Sequence, residues 1–131
     1  MLTGVAFILR SSNLRQRAMS IQCGNQMSSV GLAVRLWAED SSGVFPTTFA
    51  SCSNEIATTV ILHCPADADR RILRSWSDVA TDNISYELVA PGMAATNFNA
   101  ALFRCRIHGH LGYGDGTVFD GKERQTKKLT L

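Results

Sequence analysis

An α+β fold, with one long N-terminal helix packed on a small antiparallel β-sheet, is what this sequence predicts. Three observations carry that expectation. The first third has an apolar stripe at helical spacing and no proline from Leu14 to Trp37. The second half breaks into short β-prone runs separated by Pro-Ala-Asp, Pro-Gly and Asp-Gly signals. The 131 residues suit one domain with a single core, and helix followed by strands is the α+β order.

In the helix, Cys23, Met27, Val30, Val34 and Trp37 recur at steps of four, three, four and three, so they share one face, with Ala33 beside them. Met27, Val30, Val34 and Trp37 are the expected core anchors, with Trp37 tying helix to sheet. Gly24 is the weak point, costing about 1 kcal/mol relative to alanine. The stripe is read as packing on the chain's own domain, because a coiled coil would sustain the repeat longer. Asp40-Ser41-Ser42-Gly43, with Pro46 soon after, stops the helix. The expected organisation is a remnant apolar segment over 1–13, the helix over 14–40 and a globular sheet domain over 41–131.

After a surface loop over 44–57, the β-branched run Thr58 to Cys64 reads as a strand. Residues 66–82 are polar and irregular, with a helical turn around Ser75 to Val79. Ile84, Tyr86 and Leu88 alternate with Ser85 and Glu87 as in a half-buried strand. Leu102 to Ile107 and His108 to Gly114 read as two further strands. Asp115-Gly116 is a two-residue hairpin signal suited to a type I′ turn, with Thr117 to Phe119 returning.

Composition restricts function. The net charge is +2 and the basic residues are scattered, gathering only at Arg10, Arg15 and Arg17 and at Lys122, Arg124, Lys127 and Lys128. A nucleic-acid binder would show a dense basic stripe, so none is expected as a partner. No G-x-S-x-G, H-E-x-x-H or phosphate loop is present, and the glycine-rich stretch from Gly112 to Gly116 reads as a hairpin. No catalysis and no cofactor are expected. The apolar run Leu2 to Leu9 is broken by Thr3 and Gly4, and eight helical residues rise only about 12 Å against a bilayer core of about 30 Å.

The four cysteines, Cys23, Cys52, Cys64 and Cys105, allow three complete pairings, and their order in the chain does not choose among them. Cys105 and His108 have C-x-x-H spacing, with His110 beyond and Cys64 able to approach from another strand. A zinc site on Cys64, Cys105, His108 and His110 is one reading, since zinc takes four such ligands. A disulfide between Cys64 and Cys105, with surface histidines nearby, is the other. Calcium held by loop aspartates (Asp67, Asp69, Asp78, Asp82, Asp115, Asp120) fits less well, because no EF-hand pattern appears. Asn83-Ile84-Ser85 matches a glycosylation sequon.

Several phrases, taken in order, resemble bacterial pseudopilins and type IV pilin-like proteins of the prepilin-type cleavage and methylation family. They are Ile21 to Gln26, Gly31 to Asp40, Gly43 to Pro46, Ser53 to Glu55, His63 to Asp67, Asn83 to Glu87, Arg104 to His110 and Asp115 to Val118. The resemblance spans about residues 16 to 121. It departs from the family in two places. Residues 1–13 hold a short interrupted apolar run where the family has a basic leader, a cleavage site and a long apolar stretch. Gln26-Met27-Ser28-Ser29 also leaves the helix less basic than in the family.

The resemblance implies a structural, non-catalytic subunit of a type II secretion or type IV pilus-related filament, N-terminally truncated. Its partners would be other pilin-like subunits and the secretion or pilus assembly proteins. It would meet a membrane only through the missing apolar helix. The full-length protein would be periplasmic and inner-membrane-associated, and this chain soluble. The resemblance also favours the Cys64–Cys105 disulfide, since both residues lie in phrases shared with that family. A small periplasmic metal-binding module, for zinc or calcium, and a ligand-binding module are the alternatives.

Overall fold

The computed structural model describes residues 2–69, 73–80, 83–94 and 100–120, with side chains from residue 12 onward. One helix, α1, runs from Leu2 to Asp40 and packs on a four-stranded antiparallel sheet. The strands are β1 (Tyr86–Leu88), β2 (Ala101–Cys105), β3 (Leu111–Tyr113) and β4 (Val118–Phe119), ordered as a meander. The α+β arrangement is therefore as the sequence pattern predicts. The helix, however, does not begin at 14: its backbone is continuous from Leu2 through the segment expected to be a separate remnant.

The helix ends where the stop signal lies. The Gly43 and Ser41 amides both donate to the Ala38 carbonyl, at 2.9 and 3.2 Å. Ser42 (φ 63°) and Gly43 (φ 73°) adopt the left-handed conformation that turns the chain away. Cys23, Met27, Val30 and Val34 are all fully buried. Trp37 is only partly buried, and the last inward position falls to Ala38 instead. The stripe drifts because 3.6 residues per turn move each successive apolar position round the helix. Trp37 therefore leans on the core margin and is not its central anchor.

The run from Thr58 to Cys64 is not a strand. It forms a 3₁₀ turn, Thr59–Leu62, whose N-cap Thr58 accepts the Val60 amide. Thr59 and Leu62, three apart, both face inward, as 3₁₀ geometry requires, while Val60 points to solvent. Among the described residues, the segment meets the residue just before β1 at a single backbone bond, Ser85 N–H to Leu62 C=O, and forms no ladder with it. Two other 3₁₀ turns, Phe49–Cys52 and Trp76–Asp78, lie within the expected loop and at the expected helical turn.

The strands are shorter than the sequence runs. The 84–89 segment narrows to β1, and Ser85 is buried because its hydroxyl donates to Asp67 Oδ2 at 2.7 Å. In the 102–114 region, 106–108 form a turn and pairing resumes only at Leu111. Asp115-Gly116 does make the hairpin, but not as type I′. Only Gly116 has positive φ (85°), and the Gly116 amide bonds the Tyr113 carbonyl while Tyr113 N–H bonds Thr117. This is a type I turn closed by a left-handed glycine, the common three-residue hairpin loop.

Phe103 centres the core, with edge-to-face contacts to Phe49 and Tyr86 at 5.8 and 5.7 Å. The helix lies across β3, β4 and the first two 3₁₀ turns, which brings the second half of α1 against the sheet. Beyond it, Ser12 to Ala18 are all exposed.

Candidate functional site

Three remote segments converge under the helix. Cys23 faces inward from α1, and Cys64 follows the 59–62 turn. Cys105 closes β2, and His108 sits in the turn after it. Backbone bonds hold these segments together: Ser85 N–H to Leu62 C=O and Arg106 N–H to Ser85 C=O, each 3.0 Å. Ser85 is thus the bridge that places Cys64 beside Cys105. The turn that returns His108 depends on Gly109 (φ 72°), whose amide donates to the Cys105 carbonyl at 2.8 Å.

The three sulfurs and one ring nitrogen lie within 4.8 Å of one another. His108 Nδ1 is 3.2 Å from Cys64 Sγ and 3.8 Å from Cys105 Sγ. The His108 backbone N–H points at Cys105 Sγ, 3.5 Å away. The three cysteines are fully buried and His108 half-buried. Behind Cys23, the Tyr86 hydroxyl lies 3.6 Å from Sγ and also donates to Gln26 Oε1 at 3.2 Å.

Crowding splits the protonation of the cluster. Hydrogen bonds from the Cys23 and Cys64 thiols, with further help from His108, push Cys105 well below the ordinary thiol range. The same sharing, with burial, pushes Cys23 far up. His108 rises to about 9, first through its bond to Cys105 and then through Cys64. Burial, and then the charge and hydrogen bond of Cys23, push Tyr86 up.

The expected site residues sort as follows. Cys64, Cys105 and His108 come together. His110 does not join them. It stacks on His108 with ring centres 4.8 Å apart, but its nitrogens face Ser20 Oγ (3.0 Å) and Asp120 Oδ1 (3.8 Å). The fourth member is Cys23, which the sequence pattern marks only as a core position. Its signal is a cysteine on the inward-facing stripe of the helix. All four cysteines are unbridged thiols, and the adjacency of Cys64 and Cys105 is compatible with the pairing that the resemblance favours.

Two of the aspartates expected as calcium ligands are engaged locally. Asp115 accepts the Thr117 amide and hydroxyl, and Asp67 accepts the Asp69 amide and the Ser85 hydroxyl. Asp82 and the basic cluster from Lys122 to Lys128 lie outside the described residues. Among the described residues, no second group of three or more such donors forms. The sequon residue Asn83 holds its own turn, bonding Ala80 N and Asp78 O.

A groove of about 390 Å³ runs past Phe49, Ile84, Tyr86 and Leu88. It is also lined by Glu87 and Arg106, paired at 3.6 Å. Among the described residues, no helix is long and apolar enough to cross a membrane. Comparison of the chain with protein-family models, characterised proteins and solved structures gave no match.

Proposed function

We propose that this chain is a structural, non-catalytic, pilin-like subunit that works by packing its long helix against the helices of like subunits. One observation carries the reading: α1 has a second apolar stripe. Leu14, Ile21 and Leu32 are exposed and spaced by seven and eleven residues, which brings them within about 20° of one line on the helix. Leu36, more than half exposed, lies about 40° further round the same side. The buried stripe of Cys23, Met27, Val30 and Val34 falls on the far side of the helix. Leu32 sits at the edge of the chain's own Gly116 turn, and a helix covered by its sheet on one face with Leu14, Ile21 and Leu36 exposed away from it suits a subunit with neighbours along that side.

The ordered phrases resembling pseudopilins, and the helix running on past the sheet, support the same reading. It implies assembly with pilin-like partners of a secretion or pilus system. On this reading the protein works in the periplasm, associated with the inner membrane. No nucleic acid and no reaction enter this function.

Sedimentation velocity over a range of concentrations tests the proposal. Weak, concentration-dependent self-association is expected. It should vanish when Leu14→Glu and Ile21→Glu are combined, with the thermal transition unchanged. A chain that stays monomeric at every concentration, or associates equally well with both substitutions, would overturn it.

A further inference from the structure

We propose that Cys23, Cys64, Cys105 and His108 bind one zinc ion, a structural metal that fastens the helix to the sheet. This inference does not rest on the pilin-like reading and survives its failure.

The donor set selects the metal. Three thiolates and an imidazole suit zinc, and hard cations that prefer oxygen are poorly served. The spacing selects a single ion. A tetrahedron with metal–sulfur bonds of about 2.3 Å and metal–nitrogen bonds of about 2.1 Å holds its donors roughly 3.6–3.8 Å apart. The His108 Nδ1 separations of 3.2 and 3.8 Å bracket that range, and no pair in the group exceeds 4.8 Å. An iron–sulfur cluster, with inorganic sulfide between its irons, needs its cysteines further apart.

Closure selects a structural role. Four protein ligands fill the coordination sphere, and three of them are wholly buried, so no position stays open for water or substrate. Binding releases the protons the cluster holds, so that three thiolates and a neutral imidazole face the ion. The three thiolates and the divalent ion then leave one net negative charge. That charge meets donors already in place: the His108 amide at Cys105 Sγ, and the Tyr86 hydroxyl at Cys23 Sγ, whose hydrogen can turn from Gln26 to the new thiolate. His108 also lines a polar cleft with Asn13, Gln16, Arg17 and Asp120, which gives the ion a way in from solvent.

The metal would join three segments far apart in sequence: the middle of α1, the loop after the 59–62 turn, and the end of β2. Such a clasp suits a small sheet whose strands are only two to five residues long.

Elemental analysis of the full chain, purified with reductant and without chelator, tests this. About one zinc per chain is expected. Cys52→Ser and His110→Gln should keep it, since neither residue belongs to the cluster. Cys23→Ser and His108→Asn should each weaken zinc binding at least about tenfold in competition with a chromophoric chelator. If those variants fold poorly, cobalt replacement in the unaltered chain gives a second readout: intense tetrahedral absorption with a thiolate charge-transfer band. Three results would overturn the proposal. One is a metal-free chain with four reactive thiols after unfolding. Another is a Cys64–Cys105 disulfide formed under these reducing conditions. The third is zinc lost in His110→Gln but retained in Cys23→Ser.

Discussion

Gly31 lies so close beneath β3 that a β-carbon on it would stand 2.4 Å from the Tyr113 carbonyl oxygen. The obstacle is backbone on both sides, so neither partner can swing away. The glycine marks a close approach of helix to sheet, and it limits the separation of the two layers there.

Gly31→Ala should therefore destabilise the protein. In an exposed helix the change would gain about 1 kcal/mol from helix propensity. Here the clash must push α1 from β3, and overpacking of this kind costs about 1–3 kcal/mol. We expect a net loss in chemical denaturation, together with a shift of the Tyr113 resonances. A gain in stability would mean that the layers are further apart than described. Gly112→Ala should behave alike, because its β-carbon would fall 2.4 Å from the Phe103 ring.

Trp37→Ala tests the margin of the core. Truncating a fully buried large aromatic costs about 3–5 kcal/mol, and half-buried Trp37 should cost roughly half, about 2 kcal/mol. Denaturant melts measure it. A loss at the full value would place Trp37 in the core centre, and a negligible loss would make it a surface residue.

Much of this was legible in the sequence, for reasons that separate by distance along the chain. The helix, its buried stripe and its stop at Asp40 follow from local periodicity and local capping, which need no tertiary partner. The Thr58 to Cys64 run departs from the expected strand because β-branched composition signals a strand only where a ladder is available. Its one bond to Ser85 leaves it curled as a 3₁₀ turn. The type I′ expectation failed on Asp115, which keeps negative φ and leaves the left-handed position to Gly116 alone. The site was legible in three of four members. Cys105 and His108 follow from their C-x-x-H spacing and Cys64 from its approach on another segment, while Cys23 joins them through the helix–sheet crossing that Gly31 permits.

Cys52 should be inert to alkylation. It is fully buried outside the cluster, and burial, with the Glu55 carboxylate beside it, pushes its thiol up to about 12. Alkylation of the native protein at pH 8 should leave it unmodified, because the thiolate is the nucleophile. The linkage has a definite sign. The folded pKa lies above the ordinary 9.0, so this thiol's contribution is intact below pH 9 and is lost as pH rises towards 12. Peptide mapping after a brief alkylation pulse checks the first point, and denaturant midpoints from pH 8 to 11 check the second. Cys52→Ser should flatten that decline. Rapid native alkylation would show that the 49–52 turn opens readily.

The chain should not insert across a bilayer, and the reason is polarity, not length. The 39 residues of α1 rise by about 58 Å, well beyond a hydrocarbon core of about 30 Å. Charges at Arg10, Arg15, Arg17 and Arg35 interrupt it, each costing about 2.5–3.5 kcal/mol at mid-bilayer. The stretch between Arg17 and Arg35 is too short for the usual span of about 20 residues and carries Ser20, Gln22, Asn25, Gln26, Ser28 and Ser29. Its apolar face is, moreover, already committed to the sheet, so insertion would have to strip Met27, Val30 and Val34 from the core. Flotation with lipid vesicles should leave the chain in the dense fraction after high-salt and carbonate washes. Stable flotation through those washes would mean that the sheet releases the helix to lipid, and that the packing of Met27 and Val34 is weaker than their complete burial implies.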